Sequence, residues 1–201
     1  MTSPDNEPLI YEDAVAQWDA IVAPPPPRLQ PVTIDVTKTA LFVLDFNRHL
    51  CLLEKRPRCA AIIPNVKKIL LTARAKNMPV VMTYSHNMTP ADFVEELMPI
   101  AGETVFGGEE DKFFGRDLDK DLKAKGIDTV LITGTSSNSC VMVSCHGAAL
   151  RGFKVVLPVD ATAAATAYQE QYAIWQIANA PLFRSTGLAV LTRTAMLTFK
   201  K

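Results

Sequence analysis

The chain has 201 residues, 48% of them hydrophobic and 21% charged, and its 21 Lys+Arg balance 21 Asp+Glu. That length suits one domain with a full hydrophobic core, and the balanced charge leaves no long-range field to draw in nucleic acid or an anionic membrane. No run approaches the ~18 apolar residues that span a bilayer. The start, MTSPDNEPLIYEDA, is acidic and lacks the apolar region of a signal peptide. Cys51, Cys59, Cys140 and Cys145 show neither C-x-x-C nor zinc-ribbon spacing. Free thiols in a cytoplasmic protein are the expectation.

Residues 1–37 read as an N-terminal arm and 38–201 as the domain. Within the arm, Val15, Trp18 and Ile21 fall near helical spacing, so a short amphipathic helix is expected over Tyr11 to Val22. Pro24 to Pro27 must be extended. From Thr39 the pattern alternates. Ala40 to Leu44 is a continuous apolar run, as in a strand buried on both faces, and it ends at Asp45. Pro64 to Ala75 follows as a helix with Pro64 in its first turn. Pro79 to Met82 is a strand, and residues 85–116 form a long irregular stretch of the kind that carries function. Asp117 to Lys125 is a helix stopped by Gly126. Thr129 to Thr133 is a strand, Cys140 to Leu150 a helix, Phe153 to Leu157 a strand, Tyr168 to Ala180 a helix and Leu188 to Leu191 a last strand. Strands alternating with helices predict a Rossmann-like, three-layer α/β/α fold with a mainly parallel central sheet. In such sheets ligands bind beyond the carboxyl ends of the strands, where Asp45, residues 83–86, residues 134–140 and Asp160 all fall.

The segment from Ile132 to Ser144 reads ITGTSSNSCVMVS. A strand ends at Gly134, a polar loop follows, and a helix begins near Cys140. A thiol at a helix start meets unpaired N–H groups and the positive end of the dipole, which favour thiolate. The same amides could hold an oxyanion. A small buried cysteine beside a capping loop would look similar in sequence. Asp45, set at the end of an apolar strand, is costly without a role or partner, and could take the thiol's proton across the cleft. A capping role at the strand's end remains open to it.

These residues resemble the isochorismatase-like cysteine hydrolases. Leu44-Asp45-Phe46-Asn47 is similar to the family's first motif, Gly134 through Cys140-Val141 with Ser144 to its nucleophile motif, and Val159-Asp160-Ala161 to the segment after the next strand. Phe114 to Leu118, the helix to Gly126 and Thr129 to Gly134 resemble the stretch before the nucleophile. The resemblance covers residues 38 to 200. It implies an Asp–Lys–Cys triad with Asp45 as base and Cys140 as nucleophile. It also implies a cis Thr135–Ser136 peptide and an oxyanion hole from the Ser136 and Cys140 amides. Where the family pattern best known carries its lysine, six residues before the aromatic matched by Phe113, this chain has Gly107. Lys112 is the only lysine of the loop and takes the role, as in a branch with Asp-Lys-Phe at this point; a solvated loop charge is its other reading. Asn47, Tyr84, Phe113 and Thr135 are the candidate substrate-binding residues, with Phe114 and Trp175 as further pocket walls.

The expected activity is hydrolysis of a small amide or related C–N bond through a thioester. No cofactor is expected. No metal is expected either, because no D-x-H pair follows Asp45 and His86 stands alone. His146 and Cys145 read as packing residues. The basic stretch Lys55 to Arg58 reads as solvated. A homo-oligomer acting on a small molecule is the expected assembly. The alternatives are a non-hydrolytic binding or scaffolding protein of the same fold and, less well supported, a thiol redox protein pairing Cys140 with Cys145.

Overall fold

The computed structural model of the protein describes residues 13–201. Its central sheet is parallel throughout. Its strands lie in the order β4 (Thr104–Gly107), β3 (Val80–Tyr84), β2 (Thr39–Leu44), β5 (Thr129–Thr135), β6 (Lys154–Pro158) and β8 (Ala189–Thr192). The two-residue β7 (Thr162–Ala163) extends the pairing of β5 beyond β6. Helices α1 (Pro57–Ala75), α2 (Leu118–Ala124), α3 (Met142–Leu150), α4 (Ala167–Asn179) and α5 (Pro181–Thr186) complete three layers.

All six residues of β2 are buried, and the strand's two-residue period divides them between the faces. Leu41 and Val43 pack with Val66, Ile69 and Leu70 of α1. Ala40, Phe42 and Leu44 pack with Leu122 of α2, Ala148 of α3, Ile177 of α4 and Phe183 of α5. A strand covered by helices on both sides must be apolar without alternation, which is the pattern read from residues 40–44.

The chain winds outward from β2 through β3 and β4, then returns to lay β5, β6 and β8 on the other side. The winding direction reverses between β2 and β5, so the connections leaving their carboxyl ends part there and open a cleft. The register pairs Leu44 with Gly134. Asp45 and Thr135, the next residue on each strand, therefore start side by side at the cleft floor.

Several elements differ from the sequence reading. Helix α1 begins at Pro57, with Pro64 inside it; Pro57 is the residue suited to the first turn, where no N–H bond is lost. The expected helix over Tyr11 to Val22 falls partly outside the described residues. From Ala14 to Ala20 the chain makes consecutive turns, with Val15, Trp18 and Ile21 exposed. Helical spacing alone does not hold so short a helix. A strand absent from the reading, β1 (Val32–Asp35), pairs in parallel with β9 (Leu197–Lys200) and ties the arm to the chain's end. The irregular stretch contains β4 and two single 3-10 turns. Cys51 and Cys59 are not free: they form a disulfide, Cα to Cα 5.0 Å, between the loop after β2 and the first turn of α1. The two Cα atoms lie within bridging distance, a proximity that spacing alone does not reveal. No helix among the described residues is long and apolar enough to cross a membrane.

Candidate functional site

Asp45 leaves the end of β2 with φ at +60°, a left-handed conformation uncommon outside glycine, asparagine and aspartate. The residue is almost fully buried, so its carboxylate needs partners. Oδ1 accepts the Thr83 hydroxyl at 2.6 Å, and Oδ2 lies 3.0 Å from the Lys112 ammonium, whose side chain has 0% exposure. Thr83 is the residue opposite Leu44 on β3, so the sheet's own register sets its hydroxyl beside Asp45. The ammonium also donates to the Gly108 carbonyl at 3.4 Å. A buried ion pair needs further hydrogen bonds to its charged groups, and the Thr83 hydroxyl and Gly108 carbonyl supply one to each.

Lys112 is followed by Phe113, whose ring lies between Phe42 and Phe153, at 5.4 and 5.8 Å between centroids. Phe113 is therefore part of the core. Its burial anchors the loop, and the lysine beside it turns toward Asp45. The family-pattern position, Gly107, lies under the Tyr84 ring, with no room for a Cβ.

Cys140 follows a kink at Ser139 (φ −130°, ψ −108°) in the turn Ser137–Val141, which runs into α3. The preceding Thr135–Ser136 peptide is cis. Gly134 has φ at +154°, and a Cβ there would come 2.6 Å from Leu44 Cβ. Only glycine lets β5 approach β2 this closely. The thiol is half-buried beside Asp45, with the Ser139 hydroxyl 3.9 Å from Sγ. Its pKa is pushed up from 9.0 to about 11, by burial first, then by the Asp45 charge and hydrogen bonding toward that carboxylate; Lys112 and the Ser139 hydroxyl act the other way. The helix start thus does not yield the depressed thiol that the sequence suggests. Desolvation and a neighbouring carboxylate outweigh it, and the resting thiol is a neutral donor. Sγ, Asp45 and Lys112 form one connected group.

Three buried side-chain oxygens among the described residues have no protein partner: Asn47 Oδ1, Thr135 Oγ1 and Ser137 Oγ. Asn47 is two residues from Asp45, and Thr135 and Ser137 flank Ser136. Unpartnered buried polar atoms are rare and are commonly met by ligand or water. Asn47 also donates to the Ser85 hydroxyl at 2.6 Å. Thr83, Ser85 and Ser137 fall in segments that the sequence places at the ligand edge, without an individual role for any of them. Thr83 alone carried a signal, a hydroxyl at a strand end level with Asp45.

Tyr84, at the end of β3, is half-buried and meets Phe93 edge-on at 6.4 Å. Trp175 lies instead in an apolar groove of about 760 Å³ between the arm and α4, with Trp18, Tyr168 and Tyr172. That groove shares no residue with the thiol site. Phe114 is exposed. Asp160 holds the Thr194 amide and hydroxyl at 2.8 and 3.0 Å, a structural task. His49 pairs with Asp92, His86 with Glu109 and His146 Nδ1 with the Met142 carbonyl. Arg58 is engaged by the Glu170 carboxylate through Nε at 2.7 Å.

The comparisons identify the doubly wound α/β domain that carries this site. Residues 39–186 match the Isochorismatase domain family. The chain belongs to that family of hydrolases. It is 26% identical over 154 residues to the uncharacterised isochorismatase family protein YwoC of Bacillus subtilis, covering 65% of this chain and 80% of that one. It is 30% identical over 130 residues to N-carbamoylsarcosine amidase of Arthrobacter sp, covering 51% of this chain but only 49% of the amidase. The crystal structure of an isochorismatase-like hydrolase from Alkaliphilus metalliredigens superposes with a TM-score of 0.68 at 24% identity, over 79% of this chain and 95% of that one. This last likeness shows the shared fold.

Proposed function

We propose that the chain hydrolyses a small amide or related C–N bond through a thioester on Cys140. The observation that carries the reading is the buried Lys112–Asp45 pair at 3.0 Å, whose charges both act on the Cys140 thiol. The amidase likeness over half the chain supports the bond class. In the proposed cycle Asp45 takes the thiol proton as Sγ bonds the carbonyl carbon. The Ser136 and Cys140 amides receive the oxyanion. Asp45 returns the proton to the leaving nitrogen, the C–N bond breaks, and ammonia or an amine departs. Water then gives a proton to Asp45, its oxygen attacks the thioester, and the C–S bond breaks to release the acid and restore the thiol. Lys112 balances the carboxylate throughout. Asn47, Thr135 and Tyr84 are the proposed substrate contacts, to which Ser137 is added by its unpartnered hydroxyl.

Assay of ammonia release from N-carbamoyl amino acids and short monoamides, with intact-mass detection of the acyl-enzyme, tests this. Release by wild type and its loss in Cys140→Ala are expected. Turnover that survives Cys140→Ala overturns the nucleophile. No turnover across the panel, with an unreactive thiol, returns the case to a non-hydrolytic protein. The proposal includes self-association through the exposed Trp18, Tyr168 and Tyr172 surface; a monomer by light scattering removes that part.

A further inference from the structure

Lys112 lies far upstream of Cys140, on a loop without regular structure, yet its ammonium must arrive in register with the thiol. The connection runs through the nucleophile's own helix. Cys140, Ser144, Gly147 and Arg151 recur at intervals of four, three and four, which puts them on one helical face. Each of the last three touches the lysine loop. The fully buried Ser144 hydroxyl accepts the Lys112 N–H at 3.2 Å and donates to the Glu110 carbonyl at 3.0 Å. Gly147 leaves room for the Asp111 carboxylate; a Cβ there would come 2.9 Å from Asp111 Oδ2 and closer still to Oδ1. Arg151 donates to Asp111 Oδ2 at 3.2 Å and stands over the Phe113 ring at 5.2 Å. Ser139, next to the nucleophile, donates to Glu110 Oε1 at 2.6 Å. Four consecutive loop residues are thus tied to the turn and helix that carry Cys140.

We propose that Ser144 is the positioning residue for Lys112, its hydroxyl clamping the two backbone groups on either side of Asp111 so that the ammonium meets Asp45 in register with the thiol. One hydroxyl serves both as acceptor and as donor, so alanine would leave a buried N–H and a buried carbonyl without partners. Threonine keeps the hydroxyl. The inference rests on the proposed role of Lys112, and its test separates the two.

The test measures iodoacetamide labelling of Cys140 at pH 8 by peptide mass spectrometry, with thermal midpoints recorded for every variant. Lys112→Met, which fills the same space without charge, is expected to slow labelling about tenfold, as one unit of thiol pKa would. Ser144→Ala is expected to slow it about fivefold and Ser144→Thr to stay within about twofold of wild type, if each unit of lost thiolate scales the rate in the same way. The double variant Ser144→Ala/Lys112→Met should be no slower than Lys112→Met alone, because a residue acting through Lys112 has nothing left to position. Wild-type labelling in Ser144→Ala, or a double variant slowed by the product of the two effects, overturns the positioning role. If Lys112→Met itself labels at the wild-type rate, the lysine's proposed function fails and this inference with it. Should Ser144→Ala not fold, Arg151→Gln replaces it at the exposed end of the clamp. A smaller slowing is then expected, and wild-type labelling overturns the positioning role as before.

Discussion

Cys140, in the turn that leads into α3, and Cys145, inside α3, stand five residues apart, and their surroundings could hardly differ more. Both thiols are pushed up by burial. For Cys145, fully buried in the core between sheet and helices, burial is the sole cause and nothing nearby can take the proton. Around Cys140 the cleft brings a carboxylate that raises the thiol pKa further, an ammonium that opposes the shift, and a hydroxyl 3.9 Å from Sγ. Usefulness as a nucleophile then depends on a route for the proton more than on a low resting pKa. A helix start alone does not make a thiolate here.

Replacing each cysteine tests that contrast most directly. Cys140→Ala should lower kcat by about 10³-fold or more, since the covalent route is lost. Cys145→Ala should leave kcat within about twofold and cost ~1 kcal/mol in urea denaturation, as a small core truncation does. Equal losses of turnover would erase the distinction. Asp45→Asn comes next. It should lower kcat by about 10²- to 10⁴-fold, the usual range for a general base, while the alkylation midpoint of Cys140 moves down from about 11, because the charge and hydrogen bond that raise it are gone. More thiolate with less catalysis is a signature that a purely structural defect does not produce. Thr83→Val follows, with about tenfold loss of kcat and ~2 kcal/mol of stability, the cost of leaving a buried carboxylate short of one hydrogen bond. Thr83→Ser should restore most of both, as read from kcat and from urea midpoints.

Much of this is legible in the sequence, and for identifiable reasons. The apolar run at 40–44 closing on Asp45, and the glycine-led loop before Cys140, are patterns that a doubly covered parallel sheet imposes. Strands β1, β4 and β9 are not, because each is short and only partly buried, so its pattern merges with that of loops. The Cys51–Cys59 bridge depends on how the loop after β2 folds back on α1, which spacing does not encode. Phe113 misleads because an aromatic in a loop near a site can equally be its anchor. The strand-end position of Thr83 is readable, but its pairing with Asp45 comes only from the β2–β3 register, and the role of Ser144 from contacts with a loop distant in sequence.

The smallest effect expected is a pH dependence of stability, and it sharpens the same pair. An acid whose pKa is higher in the folded state keeps its proton longer there than in the unfolded chain. Below pH 9 both states hold the Cys140 proton and the thiol contributes no slope. Between 9 and about 11 the unfolded chain binds fewer protons, so stability falls as pH rises. Cys145, raised further by complete burial, adds a loss of the same sign that continues to higher pH. Urea midpoints at pH 8 and pH 10.5 should therefore converge partly in Cys140→Ala and more in Cys145→Ala, relative to wild type. Asp45→Asn should behave like a weaker Cys140→Ala, since it removes only the carboxylate's share of the shift. An identical drop in all four proteins would show that neither thiol is held protonated by the fold, and would leave the Asp45 carboxylate without energetic consequence for the Cys140 thiol.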